Sequence, residues 1–173
     1  MTISIGELER QVRVLRDIEE IKRLKHAYFR CIDTANLAEL AQLTHPEVTT
    51  SYVGGSYRIE LRNREEFLEM IGSSFHAECV ARHNGHHPEI EVTSETEATG
   101  TWYLHDDFLN LREMIRTEGT AIYRDRYLKV DGRWVISHQS YERIYERVEP
   151  ITTVPTLTVN TLARVGRRLP KKG

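Results

Sequence analysis

The chain of 173 residues is long enough for one substantial core but not two, and its formal charge of -2 with a pI near 6.5 supplies no basic field for nucleic acid. Its two cysteines, Cys31 and Cys79, lie far from any CxxC spacing, which argues against a disulfide framework or a cysteine zinc site and fits reduced structural thiols. The opening Met1-Thr2-Ile3-Ser4-Ile5-Gly6-Glu7 lacks the basic flank and apolar run of a signal peptide, and no stretch reaches membrane-spanning length, so a cytoplasmic protein without a membrane partner is expected.

Leu15, Ile18, Ile21, Leu24, Tyr28 and Ile32 recur at three- and four-residue steps, which predicts an amphipathic helix over residues 8 to 32 with Arg16, Glu19, Glu20, Lys22 and Arg23 on its polar face. Asp33-Thr34-Ala35-Asn36 offers capping groups to a short second helix, Leu37 to Leu43, which His45-Pro46 ends. Strands over Val48 to Val53 and Tyr57 to Leu61 flank Gly54-Gly55, a pair that suits a tight hairpin turn because both residues tolerate positive φ. Asn63 followed by Glu66 reads as a cap and its reciprocal partner, opening a helix through Phe67, Met70, Ile71 and Phe75.

The period then changes from helical to extended. Strands are expected near 83 to 93, 98 to 109, 115 to 130 and 133 to 147, with Ser94-Glu95-Thr96-Glu97 between the first pair and Asp131-Gly132, a type I′ signal, between the last. Helices first and long antiparallel strands later predict an α+β fold in which a bent sheet encloses a pocket against the helices. Residues 1–150 are expected to form the domain. Residues 151–173, with the basic run Arg164, Arg167, Arg168, Lys171 and Lys172, read as a partly flexible or subunit-wrapping extension. Tyr123, Tyr127, Trp134 and Ile136 put more large side chains on the sheet than one pocket needs, so a homodimer or homotrimer burying the convex sheet face is expected.

Residues 81–92, Ala-Arg-His-Asn-Gly-His-His-Pro-Glu-Ile-Glu-Val, gather three of the eight histidines at the mouth of a strand. Histidine titrates near neutral pH, so His83, His86 and His87 are candidates for proton transfer, or for surface positions. A metal site is not expected, because no HExxH or facial carboxylate set accompanies them. Gly85 and Pro88 permit a bulge that resets strand parity, so alternation alone does not say which histidine faces inward. Trp102, Leu104, Asp106 and Phe108 share one strand face, which sets the Asp106 carboxylate among apolar neighbours where it needs a partner; the other reading is a solvated strand end. Arg143 shares a face with Val135, Tyr141 and Tyr145 in simple alternation, with Glu142 and Glu146 as surface ion-pair partners. Tyr28 continues the helix stripe and is equally a core residue. Asp33 lies about 140° around an ideal helix from it and equally suits an N-cap at Leu37.

The order of elements resembles the nuclear-transport-factor-2-like (cystatin-like) superfamily, specifically its SnoaL-like branch, over residues 10 to 147. The resemblance is carried by residues 18–24 leading to Tyr28 and Asp33, by residues 83–90, by Ala121 to Tyr127, and by residues 132–138 with Tyr141-Glu142-Arg143. It implies a conical barrel in which a curved antiparallel sheet wraps around N-terminal helices. Within the superfamily the chain is most similar to the bile-acid 7α-dehydratase group. Tyr28, Asp33, His83 and Asp106 match that group's tyrosine, aspartate, strand histidine and strand aspartate, and Arg143 its late arginine. The γ-hexachlorocyclohexane dehydrochlorinase is a looser match, with a lysine in place of Tyr28, and scytalone dehydratase a more distant one.

The resemblance implies a cofactor-independent dehydratase acting on a small hydrophobic polycyclic carbonyl substrate of steroid or polyketide type. His83, oriented by Asp33, would remove a proton α or vinylogous to the carbonyl. Tyr28 would hydrogen-bond the developing oxyanion, and Asp106 or Arg143 would assist loss of hydroxide as water. Two alternatives stand beside it: a ketosteroid-type isomerase with Asp106 as base, and a binding module using the same cone without chemistry.

Overall fold

The computed structural model describes residues 3–170; Lys171 and Lys172 of the basic run lie outside the described residues. The first helix, α1 (Ile5–Asp33), starts where Ser4 accepts a hydrogen bond from the Glu7 amide. Its core stripe is Ile21, Leu24, Tyr28 and Ile32, all nearly inaccessible, and each such side chain contributes roughly 1.5–3 kcal/mol of burial free energy. Leu15, which continues the same period, is instead 63% exposed. Asp17 is the first buried residue of the helix, its carboxylate accepting from the Trp134 indole (3.0 Å) and the Lys129 ammonium (2.5 Å), and the turns before it are largely exposed.

Helix α2 (Leu37–Leu43) is capped by Asn36, whose side chain accepts from the Glu39 amide, so Asp33 is not the cap. Strands β1 (Thr44–Val53) and β2 (Arg58–Leu61) form an antiparallel pair joined through a loop closed by Gly54 N–H donating to the Tyr57 carbonyl at 3.0 Å. Neither Gly54 nor Gly55 has positive φ, so this is a wider loop than the tight turn expected. Asn63 caps α3 (Arg64–Ser74), and Glu66 reaches back to the Arg62 amide.

The remaining strands are β3 (Cys79–Val92), β4 (Glu97–Asn110), β5 (Ile115–Val130) and β6 (Arg133–Pro150). Asp131 and Gly132 have φ of 49° and 73°, as a type I′ turn requires. The six strands make one curved, open sheet in the order β2-β1-β6-β5-β4-β3. It is mixed: four pairings are antiparallel, but β1 runs parallel to β6. The parallel pair joins strands far apart in the chain, with α3 and β3–β5 forming the long connection that a parallel pairing needs. The concave face packs on α1. Tyr123, Tyr127, Trp134 and Ile136 are part of this core, so they do not cover the convex face as the sequence pattern suggested.

A short α4 (Thr161–Val165), unforeseen in the sequence, belongs to the extension after β6. Residues 151–170 lie back on the body. Leu162 is buried, Asn160 donates to the Cys79 carbonyl at 3.0 Å, the Ala77 amide donates to the Arg167 carbonyl at 2.9 Å, and Arg167 forks onto Glu69.

Candidate active site

A cavity of about 270 Å³ lies between the concave sheet, α1 and α3. Its apolar wall comes from Ile32 of α1, Met70, Ile71 and Phe75 at and after α3, and Leu104 and Phe108 of β4. Its polar groups are His83, Asp106, Arg143 and the tyrosines 28, 52, 57, 123 and 141.

His83 is the histidine of the 81–92 segment that turns inward. A bulge after His86, with His87 at φ 50°, shifts the register so that both halves of β3 present apolar residues to the core. His86 and His87 remain on the outer face, their Nδ1 atoms 2.6 Å apart, with His86 stacked on Tyr103. The His83 ring sits between Phe29 (parallel, 6.4 Å) and Phe75 (edge-on, 5.4 Å) and is 10% exposed.

Asp33, the last residue of α1, meets it twice. Its Oδ1 is 2.6 Å from His83 Nδ1, and its Oδ2 accepts the His83 backbone N–H at 3.0 Å. A carboxylate only accepts, so Nδ1 carries the hydrogen and the neutral ring's lone pair is on Nε2. The side of the pair away from the cavity opens to a surface groove lined by His26, Arg30 and Thr34. Tyr28 does not converge on Asp33. It points from the middle of α1 into the cavity, while Asp33 ends the helix outside it.

Asp106 is the register partner of His83 on β4 and is 3% exposed, so it is not a solvated strand end. Arg143 holds it by a two-pronged fork, Nη1 to Oδ1 and Nη2 to Oδ2, the latter 2.8 Å. Arg143 reaches it because β6 carries two one-residue bulges, at Ser137 and Ile144, which put Gln139, Tyr141, Arg143 and Glu146 on the inner face. Val135 and Tyr145 therefore do not share its face, and Glu146, 3.3 Å from Arg143 Nε, is a buried neighbour rather than a surface one. Gly119 lies between the two partners. A Cβ there would meet the Tyr145 carbonyl at 2.4 Å and the Arg143 guanidinium at 3.4 Å, so a bare backbone is what leaves room for the fork. Burial works against the charge of Arg143, but the hydrogen bonds and attraction of Asp106 outweigh it and raise its pKa above the usual arginine value.

The tyrosines form two hydroxyl pairs. Tyr28 OH and Tyr52 OH are 3.3 Å apart, and Tyr52 donates on to Gln139 Oε1 at 3.2 Å. Tyr57 OH and Tyr141 OH are 2.6 Å apart, and Arg143 Nε donates to Tyr57 OH at 3.3 Å. Burial pushes the Tyr28 hydroxyl up to about 12 and raises Tyr52, Tyr123 and Tyr141 as well. At neutral pH these groups are therefore O–H donors.

Beneath the tyrosines lies a fully buried pair, Lys25 Nζ and Asp125 Oδ2, 2.8 Å apart, with the ammonium 3.8 Å from the Tyr123 ring centre and 4.4 Å from that of Tyr28. Burial lowers the Lys25 pKa, against the pull of Asp125. Tyr52, Tyr57, Lys25 and Asp125 were not singled out from sequence. Tyr52 alternates inward with Val48 and Thr50, and Lys25 interrupts the apolar stripe of α1, so both carried a local signal. Among the described residues no three His, Cys, Asp or Glu side chains gather so as to hold a metal ion, and no helix is long and apolar enough to cross a membrane.

Comparison with known proteins agrees with this architecture. Residues 13–140 match the SnoaL-like domain. A candidate scytalone dehydratase from Novosphingobium aromaticivorans is similar in structure with a TM-score of 0.67 at 23% identity, over 82% of this chain and 97% of that one. A hexachlorocyclohexane dehydrochlorinase from Novosphingobium barchaimii gives 0.68 at 16% identity, over 84% and 97%. A nuclear-transport-factor-2-like protein with a cystatin-like fold, also from N. aromaticivorans, gives 0.66 at 16% identity, over 83% and 92%. At these identities the likeness is one of fold.

Proposed function

The chain belongs to the SnoaL-like domain family, and we propose that it is a cofactor-independent dehydratase that eliminates water from a hydrophobic polycyclic carbonyl compound of steroid or polyketide type. The observation that carries this reading is the His83–Asp33 contact at 2.6 Å on the wall of an apolar cavity. Asp33 holds the ring by Nδ1 and leaves the Nε2 lone pair to act as base, and it stabilises the imidazolium once a proton is taken.

His83 Nε2 removes the proton α or vinylogous to the carbonyl, and the C–H electron pair moves toward the carbonyl oxygen. Negative charge develops there, where the protonated Tyr28 hydroxyl donates a hydrogen bond, Tyr52 beside it giving its own proton to Gln139. As the carbonyl re-forms, the electrons return to make the carbon–carbon double bond and the hydroxyl departs as water. The leaving oxygen takes the proton that His83 Nε2 removed, which returns the imidazole to its neutral form, while the Asp106-held Arg143 and the Tyr57 hydroxyl hydrogen-bond that oxygen. Isomerisation with Asp106 as base is the weaker reading, because both oxygens of that carboxylate are engaged by Arg143. A cavity near 270 Å³ lies close to the lower end of the roughly 300–1,000 Å³ usual for ligand sites, which favours a compact polycyclic skeleton.

The test uses a fused-ring β-hydroxy ketone, with absorbance of the conjugated product and solvent-deuterium exchange at the α carbon as readouts. His83→Ala and Asp33→Asn should each lower kcat by roughly 10²- to 10⁴-fold while ligand binding persists. Wild-type protein that binds such compounds but shows neither turnover nor exchange would replace the enzyme reading with a binding module.

A further inference from the structure

The inner face of the sheet stays apolar past the point where it is covered. Strand register lays its residues out in rows that lead from inside the cavity to its mouth. Asp106 and Gly119 share one row with Glu146, Phe108 and Thr117 the next with Val148, and Asn110 and Ile115 the last with Pro150. Asp106 is buried, and Phe108 and Thr117 still line the cavity, but Val148 is 54% and Ile115 39% exposed. Both stand on the face of the cavity wall, because the alternate residues Asp107, Arg116, Glu118 and Arg147 point outward and are ion-paired with one another there.

A strand end bathed in water on both sides has no need of such alternation. Here the outward positions carry charge while the inward ones carry Phe108, Val148 and Ile115, so the pattern that builds the cavity wall runs on through the mouth as an open shelf. The shelf has a definite end. The chain leaves it at Ile151, whose amide donates to the Met114 carbonyl at 2.8 Å, and reaches Asn160, which donates to the carbonyl of Cys79 opposite Asn110. The segment between them passes beyond the last row and bounds it.

We propose that this shelf is an apolar subsite continuous with the cavity, and that it takes a hydrocarbon chain borne by the substrate's ring system on the side away from the carbonyl. It rests on the ring-ketone reading above and narrows it to a compact polycyclic ketone with an apolar tail. The buried Tyr28 and Tyr52 hydroxyls hold the carbonyl end inside, so the far end of the rings is what reaches the Phe108–Thr117 row. A cavity of about 270 Å³ is filled by the rings and leaves the chain to lie outside. Two rows across three strands offer about 200 Å² by strand rise and spacing, far short of the ~800 Å² per partner of a stable protein interface. A small apolar group fits that area and a second protein does not. One row step is about 6.7 Å and an extended alkyl chain advances about 1.3 Å per carbon, so about five carbons pass from the Thr117 row to the Ile115 row.

The experiment is calorimetric titration with α-tetralones bearing straight alkyl chains of zero to eight carbons para to the carbonyl. These ketones lack the hydroxyl to be eliminated, so binding is read without turnover. A methylene covered on one side contributes about half as much as a fully buried one, so affinity should rise roughly twofold per carbon up to about five carbons and then level off. Val148→Asn with Ile115→Asn should keep the wild-type affinity for the unsubstituted ketone and its circular dichroism, but lose the dependence on chain length. Val148→Thr, which keeps the shape of the side chain, should weaken that dependence and serves where the double variant fails to fold. Affinity independent of chain length in wild type, a rise that continues unbroken to eight carbons, or a dependence that survives in the folded variant would each overturn the proposal. So would a change in the sedimentation mass of the variant, which would show that a second copy covers the shelf. Wild type that binds none of the ketones overturns it together with the ring-ketone reading. Chain-dependent binding without turnover of the β-hydroxy ketone removes the dehydratase reading alone, and turnover without chain dependence removes the subsite alone.

Discussion

At the scale of single residues, Arg143 and Asp106 separate stability from chemistry. Both are buried, so removing one leaves an unpaired charge in the core, a loss of about 3–5 kcal/mol for Arg143→Met. Replacing all three charges, as Arg143→Met with Asp106→Leu and Glu146→Gln, leaves no unpaired charge and should restore most of the stability. Under the dehydratase reading this triple variant should stay slow, because no donor remains beside Tyr57 for the departing oxygen. Urea titration with turnover on the same samples checks this. Recovery of activity along with stability would show the pair to be purely structural.

Among the elements, the extension after β6 acts as a brace. α3 provides Met70, Ile71 and Ser74 to the cavity wall, and Arg167 grips that helix through Glu69. Gly166 permits the close approach: a Cβ there would stand 2.7 Å from the Leu162 carbonyl and 2.8 Å from the His76 backbone. Ending the chain at Pro150 exposes the site of Leu162, a loss of roughly 1.5–3 kcal/mol. At about 2–4 °C per kcal/mol for a chain of this size, the melting midpoint should fall by several degrees. Hydrogen exchange should quicken in residues 64–76 and KM should rise more than kcat falls. Unchanged exchange there would mean that α3 needs no brace.

For the whole molecule, burial sets both edges of the pH range of stability. It lowers the pKa of His76, His86 and His138 from the usual 6.5, so between those values and 6.5 the unfolded chain binds more protons than the folded one. The stability these groups contribute is therefore present above pH 6.5 and lost as the pH falls through their folded values. Burial pushes the Cys31 and Cys79 thiols from 9.0 up to about 11, so the folded chain keeps protons that the unfolded one releases. That contribution is present below pH 9.0 and lost as the pH rises toward 11. Melting midpoints should form a plateau between these limits. His76→Asn should flatten the acid limb and Cys31→Ala with Cys79→Ala the alkaline limb. A midpoint that rises on acidification from neutral pH would contradict the argument.

Much of this protein is written in local signals. The α1 stripe, the Asn63 cap, the Asp131–Gly132 turn and the run of long strands depend on a few adjacent residues, and each stands where the sequence placed it within a few positions. Face assignments failed wherever a bulge intervened. One extra residue reverses strand parity, so alternation rightly set Arg143 with Tyr141 but also with Val135 and Tyr145, which the bulges at Ser137 and Ile144 turn to the other face. The inward histidine likewise required the resemblance, since the bulge after His86 hides the parity of β3. The mixed sheet was invisible because β1 and β6 lie far apart in the chain and nothing in either strand names its neighbour. The sequence by itself determined which segments are helix or strand, because capping, turns and periodicity act over a few residues. No local signal joins Asp33 to His83 fifty residues away, a contact that only the family resemblance implied, and tertiary structure alone decided that Arg143 crosses Gly119 to Asp106, because such contacts follow from how bulged strands are registered against one another.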